Sequence, residues 1–301
     1  MTRTRNLESH PKRNQRLGIA MKWIARISVV ALAFACLAMP LPPAAAQELK
    51  NPKLEIAYIP PKTAKYQPIM DRLKKRKALE FLAEFVSPLR LPHRFYMVTV
   101  ECGMANAFYS PGQWMLKLCY EYVEVLDKIA PKQGQTKDGF THDEVVVGEI
   151  VVTLLHEIGH AAFDMLKVPV FGREEDAADQ MAIFLALQFS PPVARLITRG
   201  DLFFWKNEGI GNALDWKDYS DEHGTAGQRF YNELCWAYGG NPAAFKDMVD
   251  AGWLPKARAA NCKDEYELIK AAFAKTILPH VDPVLMKKVQ ERDWLGPLLG
   301  K

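Results

Sequence analysis

The 301-residue chain has no internal repeat and no low-complexity tract, which sets aside solenoid and collagen-like architectures. None of its five cysteines forms a C-x-x-C pair, so the common spacing of a structural zinc site is missing. Its N-terminal apolar run, Ile27 to Met39, is too short for a comfortable membrane span, which takes about 20 residues. It also lacks a usable basic surplus. The first 46 residues hold seven of the 39 Lys and Arg and one of the 35 Asp and Glu. The rest therefore carries 32 basic against 34 acidic residues, a net of −2, and nothing in that balance argues for nucleic acid. What remains is an ordinary globular composition, 25% charged and 49% hydrophobic. The length is enough for one sizeable core or two small ones.

The first 46 residues read as a secretory leader. A basic start (Arg3, Arg5, Lys12, Arg13, Arg16, Lys22, Arg26) precedes the apolar run, and Ala44, Ala45 and Ala46 end it. Met21 is an alternative start, since Met21 to Ala46 has all three parts. The other reading is an uncleaved membrane anchor. Cleavage near Ala46 predicts an exported, periplasmic or secreted protein. Four cysteines then remain: Cys102, Cys119, Cys235 and Cys262. An even number in an exported chain suggests disulfides, in one of three pairings. Cys102–Cys119 with Cys235–Cys262 is favoured, because each closes a short local loop.

Along the mature chain, residues 47–66 carry several prolines and read as an irregular opening segment. Residues 67–88 read as one helix, with the basic run 74–77 on a solvated face. Residues 94–101 and 113–119 read as strands, joined by a turn over 103–111. A short helix follows over 120–130. Residues 143–167 are largely apolar and predict a buried helix. A break at 167–172 precedes a second helix, about 173–189, with acidic first turns. Residues 191–301 read as helices and loops. The whole divides into a strand-bearing part (67–167) and a helical part (168–301).

The chemistry centres on His156-Glu157-Ile158-Gly159-His160. On a helix, positions i and i+4 lie one turn apart on one face, so both histidines can share a metal ion. Glu157 sits at the edge of that face, within reach of a water there but not competing for the metal. The flanks are apolar, and burying His and Glu without partners costs several kcal/mol. A catalytic zinc takes three protein ligands and one open position. Glu175 is the candidate third ligand. Asp179, one turn on, can fix the tautomer of a ligand histidine. Glu174 and Asp176 read as plain helix-start acids.

The pair of motifs, H-E-x-x-H with Glu175-x-x-x-Asp179, resembles the gluzincin metallopeptidases, the group containing thermolysin. The 14 residues between His160 and Glu175 are fewer than in thermolysin-like enzymes. Asn106-Ala107-Phe108-Tyr109 is similar to the segment with which that group holds the substrate backbone, which implies substrate contact for Asn106 and Ala107. His223 matches, by position, the downstream histidine that stabilises the oxyanion, with Arg229 as a lesser candidate. The stretches CGMANAFY, LHEIGHAAFD, GREEDAADQ and QRFYNELCWAYG also resemble a bacterial metallopeptidase family catalogued as a domain of unknown function.

Together these features predict an α+β, zincin-like fold. A small mixed or antiparallel sheet packs on the H-E-x-x-H helix, and the C-terminal part is mostly helical. The expected activity is peptide hydrolysis with one Zn2+ per chain, a peptide or protein substrate, and no nucleic-acid partner. No membrane partner is expected beyond the targeting segment. Two rivals are a catalytically silent zinc-binding protein and a zinc hydrolase of a cell-wall amide. His93, His142 and His280 have no companion residues and read as surface or packing histidines.

Overall fold

A computed structural model describes residues 51–209, 214–294 and 296. The leader, residues 1–46, lies outside the described residues.

Four strands build one mixed sheet in the order β1-β2-β4-β3. They are β1 (Leu54–Tyr58), β2 (Phe95–Val100), β3 (Ala107–Ser110) and β4 (Met115–Cys119). β1 and β2 run parallel, as do β2 and β4, while β3 returns antiparallel to β4 with Ala107 opposite Leu118. Two expectations need correction. Residues 54–58, inside the proline-bearing opening segment, form a regular strand, because the prolines at 60 and 61 follow it rather than interrupt it. The stretch 103–111 is not simply a turn. It contains β3, and β3 rather than β4 is the strand at that edge of the sheet.

Eleven helices follow the chain order among the described residues. α1 (Gln67–Lys75) and α2 (Ala78–Val86) replace the single helix expected over 67–88. The basic run breaks there, with Lys77 in the left-handed region at φ 53°. α3 (Tyr120–Ile129) leads directly off β4. α4 (His142–Leu166) is the central helix, and α5 (Glu174–Ala186), α6 (Pro191–Gly209) and α7 (Ala226–Gly240) surround it or its neighbours. α8 (Pro242–Asp250), α9 (Lys256–Ala259), α10 (Cys262–Thr276) and α11 (Pro283–Glu291) complete the helical C-terminal part. The protein is thus α+β, with β3 and β4 packed on α4.

α4 starts where Thr141 Oγ1 accepts the Glu144 N–H at 3.2 Å and the Glu144 carboxylate accepts the Thr141 N–H at 3.5 Å. That reciprocal cap satisfies two groups a helix start leaves open. The helix is long and apolar enough to cross a membrane, but 83% of its apolar window is buried in the protein, so it is a core helix. Each fully buried Leu or Val there contributes roughly 1.5–3 kcal/mol. Close approach to α6 depends on two glycines. A Cβ on Gly148 would stand 2.8 Å from Gly200 Cα, so the two backbones touch where side chains would collide.

Candidate metal centre

α4 buries His156 and Glu157, each only 6% exposed. After α4, Lys167 turns the chain in the left-handed region and Gly172 does so again at φ 96°, which lets α5 fold straight back. Gly159 sets the depth of that return. A Cβ on it would lie 3.2 Å from Ala178 Cα, so α5 comes as close as a missing side chain allows. Glu175 and Asp179, one turn apart on α5, then face the two histidines.

The resulting geometry is tight. His156 Nε2 lies 3.0 Å from Glu175 Oε2, His160 Nε2 lies 3.3 Å from the same oxygen, and the two Nε2 atoms are 3.1 Å apart. One ligand atom from each of the three residues falls within 4.8 Å of the others. On the outer side, His156 Nδ1 meets Asp179 Oδ1 at 2.8 Å, and His160 Nδ1 meets Glu174 Oε1 at 2.7 Å. Ionised carboxylates only accept, so each neutral imidazole keeps its proton on Nδ1 and points a lone pair inward from Nε2. Two lone pairs and a carboxylate oxygen then converge on one point. That donor set fits a divalent cation. Glu174, read as a plain cap, instead holds the second histidine from outside.

Charge follows the same pattern. In the metal-free protein the site draws protons instead. Burial opposes a charged His156, but Asp179 and Glu175 outweigh it and push its pKa up to about 9. Burial likewise opposes a charged Glu175, yet its contacts with His156, His160 and His223 hold its carboxyl far below the usual range. For Asp179, burial is outweighed by Arg229 and His156, and its pKa is lowered.

Glu157 stands beside this cluster. Its Oε2 accepts the backbone N–H of Tyr109, on β3, at 2.6 Å. Burial raises its pKa above the ordinary carboxylate value. The Tyr109 hydroxyl donates to Asp164 Oδ2 on α4 at 2.8 Å, which pins the edge strand to the helix. A cleft of about 610 Å³ runs past Asn106, Ala107, His156, Glu157, Glu175 and His223. His223 Nε2 lies 2.9 Å from Glu175 Oε2, while its Nδ1 lies 2.9 Å from Asp221 Oδ1. Those acids push the His223 pKa up to about 9, with Glu175 the larger cause. Arg229 is mostly enclosed, donates to Asp179 and lies 3.9 Å over the Trp205 ring. It braces the support of His156.

The cysteines pair as Cys102–Cys119 and Cys235–Cys262. The first ties the end of β4 to the loop that enters β3. In that loop the Cys102 and Gly103 N–H groups donate to the Glu121 carboxylate at 3.1 and 2.6 Å. The Asn106 carbonyl accepts the Cys119 N–H at 3.1 Å, so Asn106 and Ala107 are held at the cleft by the backbone of β4. The second disulfide joins α7 to α10. Two disulfides fit an oxidising extracellular or periplasmic setting. His93 stacks on Trp114 at 4.0 Å, and His142 sits beside Asp127, both away from this cluster.

Sequence reasoning missed the part played by Glu174 and three acids behind the site, Glu149, Asp201 and Glu233. Tyr109 lay in the Asn106-Ala107-Phe108-Tyr109 segment, but its tie to Glu157 and Asp164 was not foreseen. The three acids had none, being scattered over three helices.

A family profile described as "Putative metallopeptidase" matches residues 58–277. No curated protein and no protein of solved structure matches the chain.

Proposed function

This chain belongs to that metallopeptidase family, and from that premise we propose that it is an exported zinc-dependent peptidase. The observation that carries the reading is the convergence of His156 Nε2, His160 Nε2 and Glu175 Oε2 with both outer Nδ1 atoms held by carboxylates. His156, His160 and Glu175 are the ligands, and Asp179 orients His156. A zinc ion held there would supply a Lewis acid for the scissile carbonyl and would lower the pKa of a water toward about 7.

The chain's own residues do the rest. Glu157 takes a proton from the attacking water and passes it to the leaving amine. Its raised pKa suits a group that must both accept and donate. His223, with Nδ1 on Asp221 Oδ1 and Nε2 on Glu175 Oε2, turns Nε2 to the developing oxyanion as a donor. An extended peptide lies along the outer edge of β3 as an added strand, beside Asn106 and Ala107, and takes over the Tyr109 N–H from Glu157. Export rests on the three-part leader over 1–46 and on the two disulfides.

The test is digestion of casein peptides by the zinc-loaded protein beside Glu157→Gln. Hydrolysis should fall by about 10²–10⁴-fold in the variant with its metal retained. Equal hydrolysis by both would defeat the assignment of Glu157. Cleavage of peptidoglycan fragments but not of casein would move the substrate to a cell-wall amide.

A further inference from the structure

Beside the cleft lies a second cavity, of about 400 Å³. It shares Asn106, Ala107, His156, Glu157 and His223 with the cleft, so it opens at the reacting groups. It extends along α4 toward the helix N-terminus, past Thr153, Val152 and Glu149. Five carboxylates line it (Glu149, Glu157, Asp179, Asp201 and Glu208) against the Arg229 guanidinium and, at the cleft end, the imidazoles of His156 and His223.

Most of these charges are engaged. Asp179 holds His156 and Arg229, and Glu157 accepts the Tyr109 N–H. Asp201 accepts the Trp205 indole N–H at 3.1 Å and faces Glu233. Glu149 differs. It is 1% exposed, and its Oε1 accepts the Tyr122 and Thr153 hydroxyls at 2.5 and 3.0 Å. Its Oε2 has no hydrogen-bond partner among the described residues, and neither has Asp201 Oδ2. An unpaired buried carboxylate oxygen is costly, and a cation brought to it recovers that cost. Val152 and Phe204 line the same cavity and offer apolar surface to a methylene stem.

We propose that this cavity receives a lysine or arginine side chain next to the scissile bond, with Glu149 as the residue that selects it and Asp201 as its acidic neighbour. The proposal rests on the peptidase reading for the word scissile, but not for the pocket itself. Burial, with Asp201 beside Glu149 and Glu233 beside Asp201, pushes both carboxyls well above their ordinary range. An arriving ammonium or guanidinium group takes the place of the Glu149 proton, which leaves to solvent, while Asp201 keeps its own and accepts a second hydrogen bond.

The test compares two fluorescent octapeptides of alanine and glycine that differ at one central residue, lysine or norleucine. Their stems match, and only the ammonium differs. Binding to the zinc-loaded Glu157→Gln protein should favour lysine by about tenfold or more, the scale of a charge-assisted hydrogen bond. Adding Glu149→Gln, or separately Asp201→Asn, should shrink the preference to within about twofold. Equal binding of the two peptides before any pocket change overturns the proposal and needs no pocket variant to fold. Cleavage by the wild-type protein separates the two ideas. Hydrolysis without lysine preference removes the pocket and keeps the peptidase. Lysine-selective binding without hydrolysis of any peptide removes the peptidase and keeps the pocket.

Discussion

Two acidic clusters lie beside α4, a few turns apart, and they behave in opposite ways. At His156 and His160 the carboxylates of Glu175 and Asp179 meet imidazoles, and their pKa values are held down. Toward the helix start, Glu149, Asp201 and Glu233 meet mainly one another and burial, and theirs are pushed up. Arg229 stands between, donating to Asp179 with its Nε 3.8 Å from Glu233. The comparison teaches that a buried acid reports its neighbours. Where imidazoles face it, it is poised to share a metal ion. Where acids face it, it keeps a proton until a cation arrives.

The sharpest break in this comparison falls on the first cluster. His223→Ala should lower kcat by about 10²–10³-fold, the usual loss for one oxyanion donor, while metal affinity stays within about twofold. Equilibrium dialysis beside steady-state kinetics checks both. Asp179→Asn leaves His156 without its acceptor carboxylate, so zinc affinity should fall about 10–100-fold. Glu233→Gln, in the second cluster, should leave that affinity unchanged. A matching loss in Glu233→Gln would merge the two clusters into one.

The second cluster has its own signature. Burial, the largest cause, holds the Glu233 carboxyl up at about 8, above the 4.5 it would show unfolded. The folded protein therefore keeps a proton the unfolded chain has lost. Stability from this group is full below about pH 4.5 and declines as pH rises through about 8. The melting temperature of the metal-free protein should fall between pH 5 and 8, and Glu233→Gln should flatten that slope. The smallest effect is local. Gly159→Ala adds a methyl group 3.2 Å from Ala178 Cα, and a few-fold loss of zinc affinity is expected as α5 shifts outward.

Much of the first cluster was legible because helical spacing is a covalent fact. His156, His160, Glu175 and Asp179 each sit one turn from a partner, and α4 and α5 are consecutive in the chain. The disulfides were legible for a similar reason, since each closes a local loop. The edge strand was not. Ala107–Ser110 is four residues long, with Gly103 before it and Pro111-Gly112 after it, and turn residues masked the extended segment. β1 was hidden by the prolines that follow it. The second cluster was invisible, because Glu149, Asp201 and Glu233 come from α4, α6 and α7 and meet only through packing that no local pattern encodes.

The most direct test of the metal centre is elemental analysis of the purified protein, wild type beside His156→Ala. About one zinc per chain, lost in the variant, is the result predicted. No zinc in either protein, even after zinc is offered, would contradict the metal centre and the peptidase reading with it.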